Sequence, residues 1–147
     1  MLSQTGTYAL QAALHLARRE GSGVVPAARI AEVLDVPATY LAKVLHRMTR
    51  EGVLESVRGP RGGYRLRHDP GSIRVSAVVA PFQELRPSTV CLLGGACDLD
   101  NPCPAHEQRR AWTATALEML EATSLADLLN GPGALHLPPS PTGETES

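Results

Sequence analysis

The chain has 147 residues, of which 43% are hydrophobic, 20% charged and 3% aromatic, a balance typical of one globular domain with at most a helical extension. Scarce aromatic residues disfavour a base-stacking single-strand binder, and the short, interrupted apolar runs exclude a membrane span. Eleven Lys/Arg and six Asp/Glu give residues 1–75 a net charge of +5, whereas three Arg and nine Asp/Glu give residues 76–147 a net charge of −6. This asymmetry indicates a polyanionic partner for the N-terminal half alone. The first residues carry no signal-peptide pattern, so we expect a cytoplasmic protein.

Apolar residues recur with helical spacing in three early segments, residues 7–19, 27–34 and 41–48. Pro37 disfavours helical angles at the residue before it and so separates the second helix from the third. Thr39 is expected to cap the third helix, and Gly52 to end it. Two helices joined by a tight turn, the second of them amphipathic and basic, are typical of a helix-turn-helix.

The period changes after the third helix. Residues 53–57 and 64–67 partly alternate apolar and polar side chains, and they flank the glycine-rich stretch 59–63. This pattern predicts a β-hairpin with a glycine-rich tip. Helix, turn, helix and hairpin follow one another in the order of a winged helix.

The remaining sequence predicts helices on both sides of a loop. Residues 73–85 predict a helix that Pro81 must kink or shorten, and residues 86–103 are a loop rich in Pro, Gly and Cys. From residue 104 the spacing predicts a long helix, followed by a last short turn capped by Ser124. Such a helix extends beyond a compact winged-helix core, so we expect its apolar stripe to be buried on a second copy of the chain. The predicted stripe consists of Trp112, Ala116, Met119, Leu120 and Thr123.

The expected fold class is therefore mainly α with a small β-hairpin. A winged helix-turn-helix domain occupies residues 1–85, a cysteine-rich loop residues 86–103, and a dimerisation helix with a short C-terminal helix residues 104–130. Residues 131–147, proline-rich and then polar and acidic, predict a disordered tail.

A basic surface is predicted on the third helix and the hairpin. One amphipathic helix with basic residues is more often a solvated charged face, but its place after a helix-turn and before a hairpin favours binding to duplex DNA. Residues near the helix N-terminus would lie nearest the base edges, later ones would meet phosphates, and hairpin arginines would enter a narrow minor groove. The candidate DNA-binding residues are Thr39, Tyr40, Lys43, Arg47, Arg50, Arg58 and Arg61.

The three cysteines and a histidine form a second candidate site. Cys91, Cys97, Cys103 and His106 follow the pattern C-x5-C-x5-C-x2-H. Three thiolates and one imidazole suit an iron–sulfur cluster or tetrahedral zinc. Structural zinc sites usually pair cysteines at closer spacing, so the wide spacing favours iron–sulfur.

Two other interpretations of the cysteines stay open. They could form a metal-free thiol switch that is oxidised directly, or a zinc site in an adaptor that binds another protein through its acidic half. The sequence holds no HExxH motif and no phosphate-binding glycine loop. We therefore expect neither an enzyme nor a small-molecule substrate.

Four motifs together resemble the IscR/NsrR group of bacterial winged-helix regulators over residues 2–130. They are TGTYALQAALHLA, TYLAKVLHRM, SVRGPRGGYRL and the cysteine loop through CPAHEQRRAW. The resemblance implies a homodimer that binds a palindromic operator and is switched by an iron–sulfur cluster. The sensed signal would be iron–sulfur status, nitric oxide or redox stress.

The resemblance also assigns roles to single residues. Cys91, Cys97 and Cys103 match the three cluster cysteines of the family, and His106 matches the histidine that completes a 2Fe–2S site in IscR-like members. Nitric-oxide sensors that hold a 4Fe–4S cluster use an acidic residue where this chain has Tyr8. A 2Fe–2S cluster is therefore favoured, with 4Fe–4S as the alternative. Pro81 is a further departure from the pattern of the family.

Overall fold

The computed structural model of the chain describes residues 2–86, 95 and 98–131. Six helices and one two-stranded antiparallel sheet lie in these residues. Their order is α1 (Gln4–Arg18), α2 (Ala27–Leu34), α3 (Ala38–Arg50), β1 (Leu54–Val57), β2 (Gly63–Leu66), α4 (Val75–Val79), α5 (Pro104–Ala122) and α6 (Leu125–Asn130). The expected fold class, mainly α with one hairpin, is confirmed.

Helix α1 is the central element of the core. It begins at Gln4, three residues before the predicted start, because the Ser3 side chain caps it by accepting a hydrogen bond from the Gly6 N–H at 2.9 Å. One face of α1 is closely packed against the helices and the hairpin around it. The buried residues of this face are Ala9, Ala12, Ala13, Leu14, Leu16 and Ala17.

The tight turn between α2 and α3 is present as predicted. Asp35 ends α2 in the left-handed region, with φ 53°, which a short polar side chain tolerates. The prediction that Thr39 caps α3 was wrong. Pro37 occupies the cap position and its carbonyl accepts from the Leu41 N–H at 3.0 Å, which leaves Thr39 inside the first turn with an exposed side chain.

The hairpin is bonded to the helical part through its second strand. Strands β1 and β2 pair from Leu54 with Leu66 to Val57 with Gly63. Val25, in the segment before α2, exchanges two backbone hydrogen bonds with Tyr64, at 2.8 and 2.9 Å. The hairpin, which is the wing of the fold, is therefore fixed at its base, and only its tip extends away from the helices.

Helix α4 is short because Pro81 follows it. The chain continues as a 3₁₀ turn, Ala80–Phe82, and becomes extended at Gln83. The prediction that Pro81 shortens this helix is confirmed by the α4 boundary. The extended backbone at Gln83 leads toward the predicted cysteine loop.

The C-terminal end of α5 is joined to the DNA-binding half by backbone hydrogen bonds. Val75 N–H donates to the Thr123 carbonyl at 2.9 Å, and Leu125 N–H donates to the Ile73 carbonyl at 3.0 Å. The Arg74 guanidinium adds a bond to the Ala122 carbonyl at 3.0 Å. We call these contacts between residues 73–75 and 122–125 the α5 bridge.

The cap predicted for the last helix is present. Ser124 accepts from the Asp127 N–H at 3.1 Å, while the Asp127 carboxylate accepts from the Ser124 N–H at 2.8 Å. This reciprocal pair is a capping box. It determines where α6 begins, directly after the α5 bridge.

The predicted stripe on α5 divides between two environments. Leu120 is buried within the same chain against Val75 and Val79 of α4, whereas Trp112 and Met119 remain 62% and 55% exposed. The expectation that the whole stripe needs a second copy was therefore wrong, because α4 already covers part of it.

Several predictions fall on residues that the structure does not describe. Cys91 and Cys97 lie outside the described residues, as does the predicted tail from residue 132 onward. Within the described residues, no helix is both long and apolar enough to cross a bilayer.

Candidate nucleic-acid interface and cysteine site

The exposed side of α3 is basic. Leu41, Val44, Leu45 and Met48 are buried on the opposite side and orient the helix. The outward residues line a shallow open groove. The groove is lined by Ala42, Lys43, His46, Arg47, Arg50 and Glu51.

His46 is a member of this surface that the sequence analysis did not select. It lies three residues after Lys43 and four before Arg50, and its side chain is exposed. Residues three and four apart share one helix face, so this spacing was the available signal.

Tyr40 is oriented differently from the prediction. Its ring is half-buried and packs against the core cluster, and its hydroxyl lies 2.7 Å from the Thr5 hydroxyl of α1, within hydrogen-bond distance. The Tyr8 ring meets it edge-on with centroids 5.9 Å apart. The expectation that Tyr40 lies on the outward face was wrong, because contacts with α1 turn the side chain sideways.

Arg47 is exposed and also contacts the chain itself. Its guanidinium carbon lies 5.7 Å from the centroid of the Phe82 ring, the geometry of a cation–π contact. The contact joins α3 to the turn that follows α4.

The wing tip carries two exposed arginines on a glycine turn. Gly59 has φ 114°, and the Gly62 N–H donates to the Gly59 carbonyl at 2.9 Å, which closes the turn around Arg61. Arg58 directly follows β1. A side chain at Gly62 would overlap the backbone oxygen of Val57, so the tip requires glycine there.

The lysine and arginines of α3 and the wing tip form no ion pair within the part of the chain that the structure describes. The ion pairs found there are Arg29 with Glu32, at 3.3 Å on α2, and Arg65 with Glu55 across the hairpin. We call Lys43, His46, Arg47, Arg50, Arg58 and Arg61 the basic face. Its lysine and four arginines keep their positive charge for an outside polyanion.

Two of the four predicted cluster ligands are described. Cys103 is the residue before α5 and carries an exposed free thiol, and His106 lies in the first turn of α5. The His106 N–H donates to the Cys103 carbonyl at 3.0 Å, so one helical turn carries both side chains. Across residues 2–86, 95 and 98–131, no group of three or more His, Cys, Asp or Glu side chains could hold a metal ion.

A helix-turn-helix whose second helix is outwardly basic, followed by an arginine-tipped hairpin, defines a winged-helix DNA-binding protein. The comparisons with known proteins agree with this class. The chain belongs to the Rrf2 family, whose model, described as an iron-dependent transcriptional regulator, matches residues 2–131.

Individual relatives give the same answer. The HTH-type transcriptional regulator IscR of Klebsiella pneumoniae is 34% identical over 129 residues, which cover 88% of this chain and 79% of that protein. The structure of T. potens IscR matches with a TM-score of 0.70 and 26% identity, over 88% of this chain and 85% of the other. The oxidized form of Staphylococcus aureus CymR matches with a TM-score of 0.70 and 27% identity, over 88% and 96%. The prediction that the chain is a regulator and not an enzyme is confirmed.

Proposed function

We propose that the chain regulates transcription through an iron–sulfur cluster that controls its affinity for an operator. Cys91, Cys97 and Cys103 would supply thiolates, and His106 the fourth ligand. The observation that carries this proposal is the pairing of Cys103 and His106 on one helical turn, joined by a 3.0 Å backbone hydrogen bond. Membership of a family described as iron-dependent supports it.

The chemistry of the two described ligands is compatible with such a group. A thiolate and an imidazole are donors of the kind that iron–sulfur clusters use, and histidine replaces cysteine as a ligand in some 2Fe–2S centres. Cys103 is exposed, so its thiol is accessible to iron and sulfide. When bound, a cluster supplies redox and ligand-exchange chemistry that iron availability, oxidants or nitric oxide can change. A 2Fe–2S cluster is favoured, with 4Fe–4S as the alternative.

The basic face would bind duplex DNA. Helix α3 fits the major groove, with Thr39 and Lys43 nearest the base edges and Arg47 and Arg50 toward phosphates. Arg58 and Arg61 on the wing would lie in or beside the minor groove. Tyr40 would act from behind α3, by holding the helix against α1. As a transcription regulator, the protein would act in the cytoplasm, where bacterial DNA is found.

A homodimer would present two such surfaces to a palindromic operator. Trp112 and Met119 are seven residues apart on α5 and both exposed, which provides an apolar strip on one helix face. Closed two-fold dimers are the commonest symmetric assembly and match the two-fold symmetry of such operators.

The experiment compares anaerobically purified protein with protein stripped of iron. Iron and acid-labile sulfide are assayed, the visible spectrum is recorded, and the affinity for a duplex recovered from a random pool by the protein is measured in both states. We expect visible absorbance, stoichiometric sulfide and unequal affinities in the two states. Cys103→Ser should lose the absorbance and sulfide, and with them the difference in affinity. Colourless protein with stoichiometric zinc, or equal affinities in the two states, would contradict the proposal.

The second candidate function is a metal-free thiol switch. It is favoured by the exposed thiol of Cys103 and by the likeness to an oxidized form of CymR. In that case iron-free protein would change its operator affinity on treatment with peroxide and recover it with a thiol reductant. A zinc-stabilised adaptor would use the same ligands, and the assays of iron, sulfide and zinc distinguish it from the cluster.

A further inference from the structure

Phe82 and Gln83 lie between α4 and the segment that carries Cys91 and Cys97. Pro81 ends α4 there, the chain turns through Ala80–Phe82, and Gln83 is extended. Both side chains are half-buried and face other elements of the DNA-binding half. They therefore lie between the cysteine segment and the helices that meet DNA.

Gln83 contacts the N-terminal turn of α1. Its side-chain oxygen accepts a hydrogen bond from the Ser3 N–H at 2.6 Å, and the Ser3 hydroxyl lies 3.4 Å from the Phe82 carbonyl, to which it donates. Gly6 faces the same amide so closely that a Cβ there would lie 3.0 Å from its oxygen. A displacement of Gln83 would therefore change its contacts with the first turn of α1.

The first turn of α1 in turn contacts the start of α3. Thr5 and Tyr40 share the 2.7 Å hydrogen bond between their hydroxyls, and the Tyr8 ring meets Tyr40 edge-on. Phe82 reaches α3 more directly, through the face of its ring and the Arg47 guanidinium. Two routes thus join residues 82–83 to α3, one through α1 and one through Arg47.

We infer, on the basis of the proposed function, that Phe82 and Gln83 are positioning residues that couple the state of the cysteine segment to the orientation of α3. Residues 84–86 join Gln83 to the segment that carries Cys91 and Cys97, so a change of position in that segment would act on residues 82–83 through the backbone. Movement of Phe82 releases or restrains Arg47, a member of the basic face. Movement of Gln83 shifts α1 against Tyr40 and thereby the end of α3 nearest the bases.

Two matched pairs of variants test the two contacts separately. Phe82→Leu removes the ring face but keeps an apolar side chain, and Phe82→Tyr restores the face. Gln83→Leu removes the acceptor, and Gln83→Glu restores it with a charge that the N-terminus of a helix favours. None of these residues is a proposed cluster ligand or DNA contact.

The measured quantity is the ratio of operator affinities between cluster-loaded and cluster-free protein. Coupling can only be as large as the difference in contacts between the two states. We expect the ratio to move toward one by about two- to fivefold in Phe82→Leu and about two- to tenfold in Gln83→Leu. Phe82→Tyr and Gln83→Glu should keep the wild-type ratio.

Hydrogen exchange provides a second readout that does not depend on DNA. In wild type, exchange of the α3 amides should differ between loaded and cluster-free protein, and this difference should shrink in both leucine variants. Iron and sulfide content should be unchanged, because the ligands are intact. A variant that merely destabilised the fold would raise exchange in both states and leave the difference.

The outcomes separate the two levels of the proposal. A wild-type ratio that differs from one and persists unchanged in both leucine variants would overturn the coupling role of Phe82 and Gln83 and leave the proposed cluster-controlled regulator unaffected. Equal affinities and equal exchange in loaded and cluster-free wild type would overturn both.

Discussion

Arg50→Gln isolates one charge of the basic face. Arg50 is the last residue of α3, is exposed, and forms no ion pair within the described part of the chain. Glutamine keeps much of the side-chain length and removes the charge. On the proposed interface the change deletes a phosphate contact and leaves the base-reading end of α3 intact.

The magnitude follows from counterion release. Each neutralised phosphate contributes a slope of about −0.9 to log affinity against log salt, and the proposed dimer presents Arg50 twice. The variant slope should therefore be shallower by about 1.8. Between about 50 and 200 mM salt, wild type should lose roughly tenfold more affinity than the variant does.

Anisotropy titrations of a labelled duplex at four salt concentrations measure this slope. Arg110→Gln is the matched control, because it removes the same charge from an exposed position on α5, outside the basic face. A wild-type slope in Arg50→Gln, or equal reductions in both variants, would refute the assignment of α3 to the phosphate backbone.

Three further predictions concern stability. Gly63→Ala should destabilise the fold by about 1–3 kcal/mol, because the added Cβ would overlap the Val25 carbonyl. Gly71→Ala is the control, because a Cβ at Gly71 meets open space and should not destabilise the fold. Denaturant unfolding measures the free energy of unfolding of both variants. Ser124→Ala should cost about 0.5–2 kcal/mol through loss of the capping box, and thermal unfolding that matches wild type would argue against that role. Burial, reinforced by nearby arginines, lowers the pKa of His15 from 6.5, and its Nε2 lacks a hydrogen-bond partner among the described residues. The unfolded chain therefore binds the proton more readily, so stability should fall as pH decreases below about 6.5, and His15→Leu should reduce that fall in urea titrations across pH.

Periodicity predicted the elements whose environment is local. The bounds of α2 agree with the predicted segment 27–34, and the hairpin lies where the period changed. The capping box at Ser124 was also readable, because all its atoms come from four consecutive residues. In each case the deciding interactions lie within a few positions along the chain.

The errors arise where distant residues decide the outcome. Tyr40 was predicted to face outward, but its position depends on Thr5, 35 residues earlier. Spacing placed the α5 stripe on one helix face, but it could not tell that Leu120 would meet α4 while Trp112 stays exposed. Thr39 was predicted to cap α3 because of its residue type, but the helix begins earlier and Pro37 occupies the cap position.

The sequence predicted which basic residues belong to the candidate site, but not the contacts that join them to the rest of the chain. The spacing of Lys43, Arg47 and Arg50 was sufficient to place them on one helix face. No pattern in the sequence indicated that Phe82 would lie under Arg47 or that Gln83 would bond to Ser3, since these contacts join segments that lie far apart along the chain.

The α5 bridge has a consequence for the spacing of DNA half-sites. Because the last turn of α5 is hydrogen-bonded to residues 73–75, this helix cannot swivel freely relative to its own recognition helix. In the proposed dimer, the distance between the two recognition helices is thus fixed, and it would match the helical repeat of B-DNA, about 10.5 base pairs. Inserting half a turn of duplex at the centre of the palindrome would place one half-site on the far side of the double helix, beyond the reach of the second recognition helix.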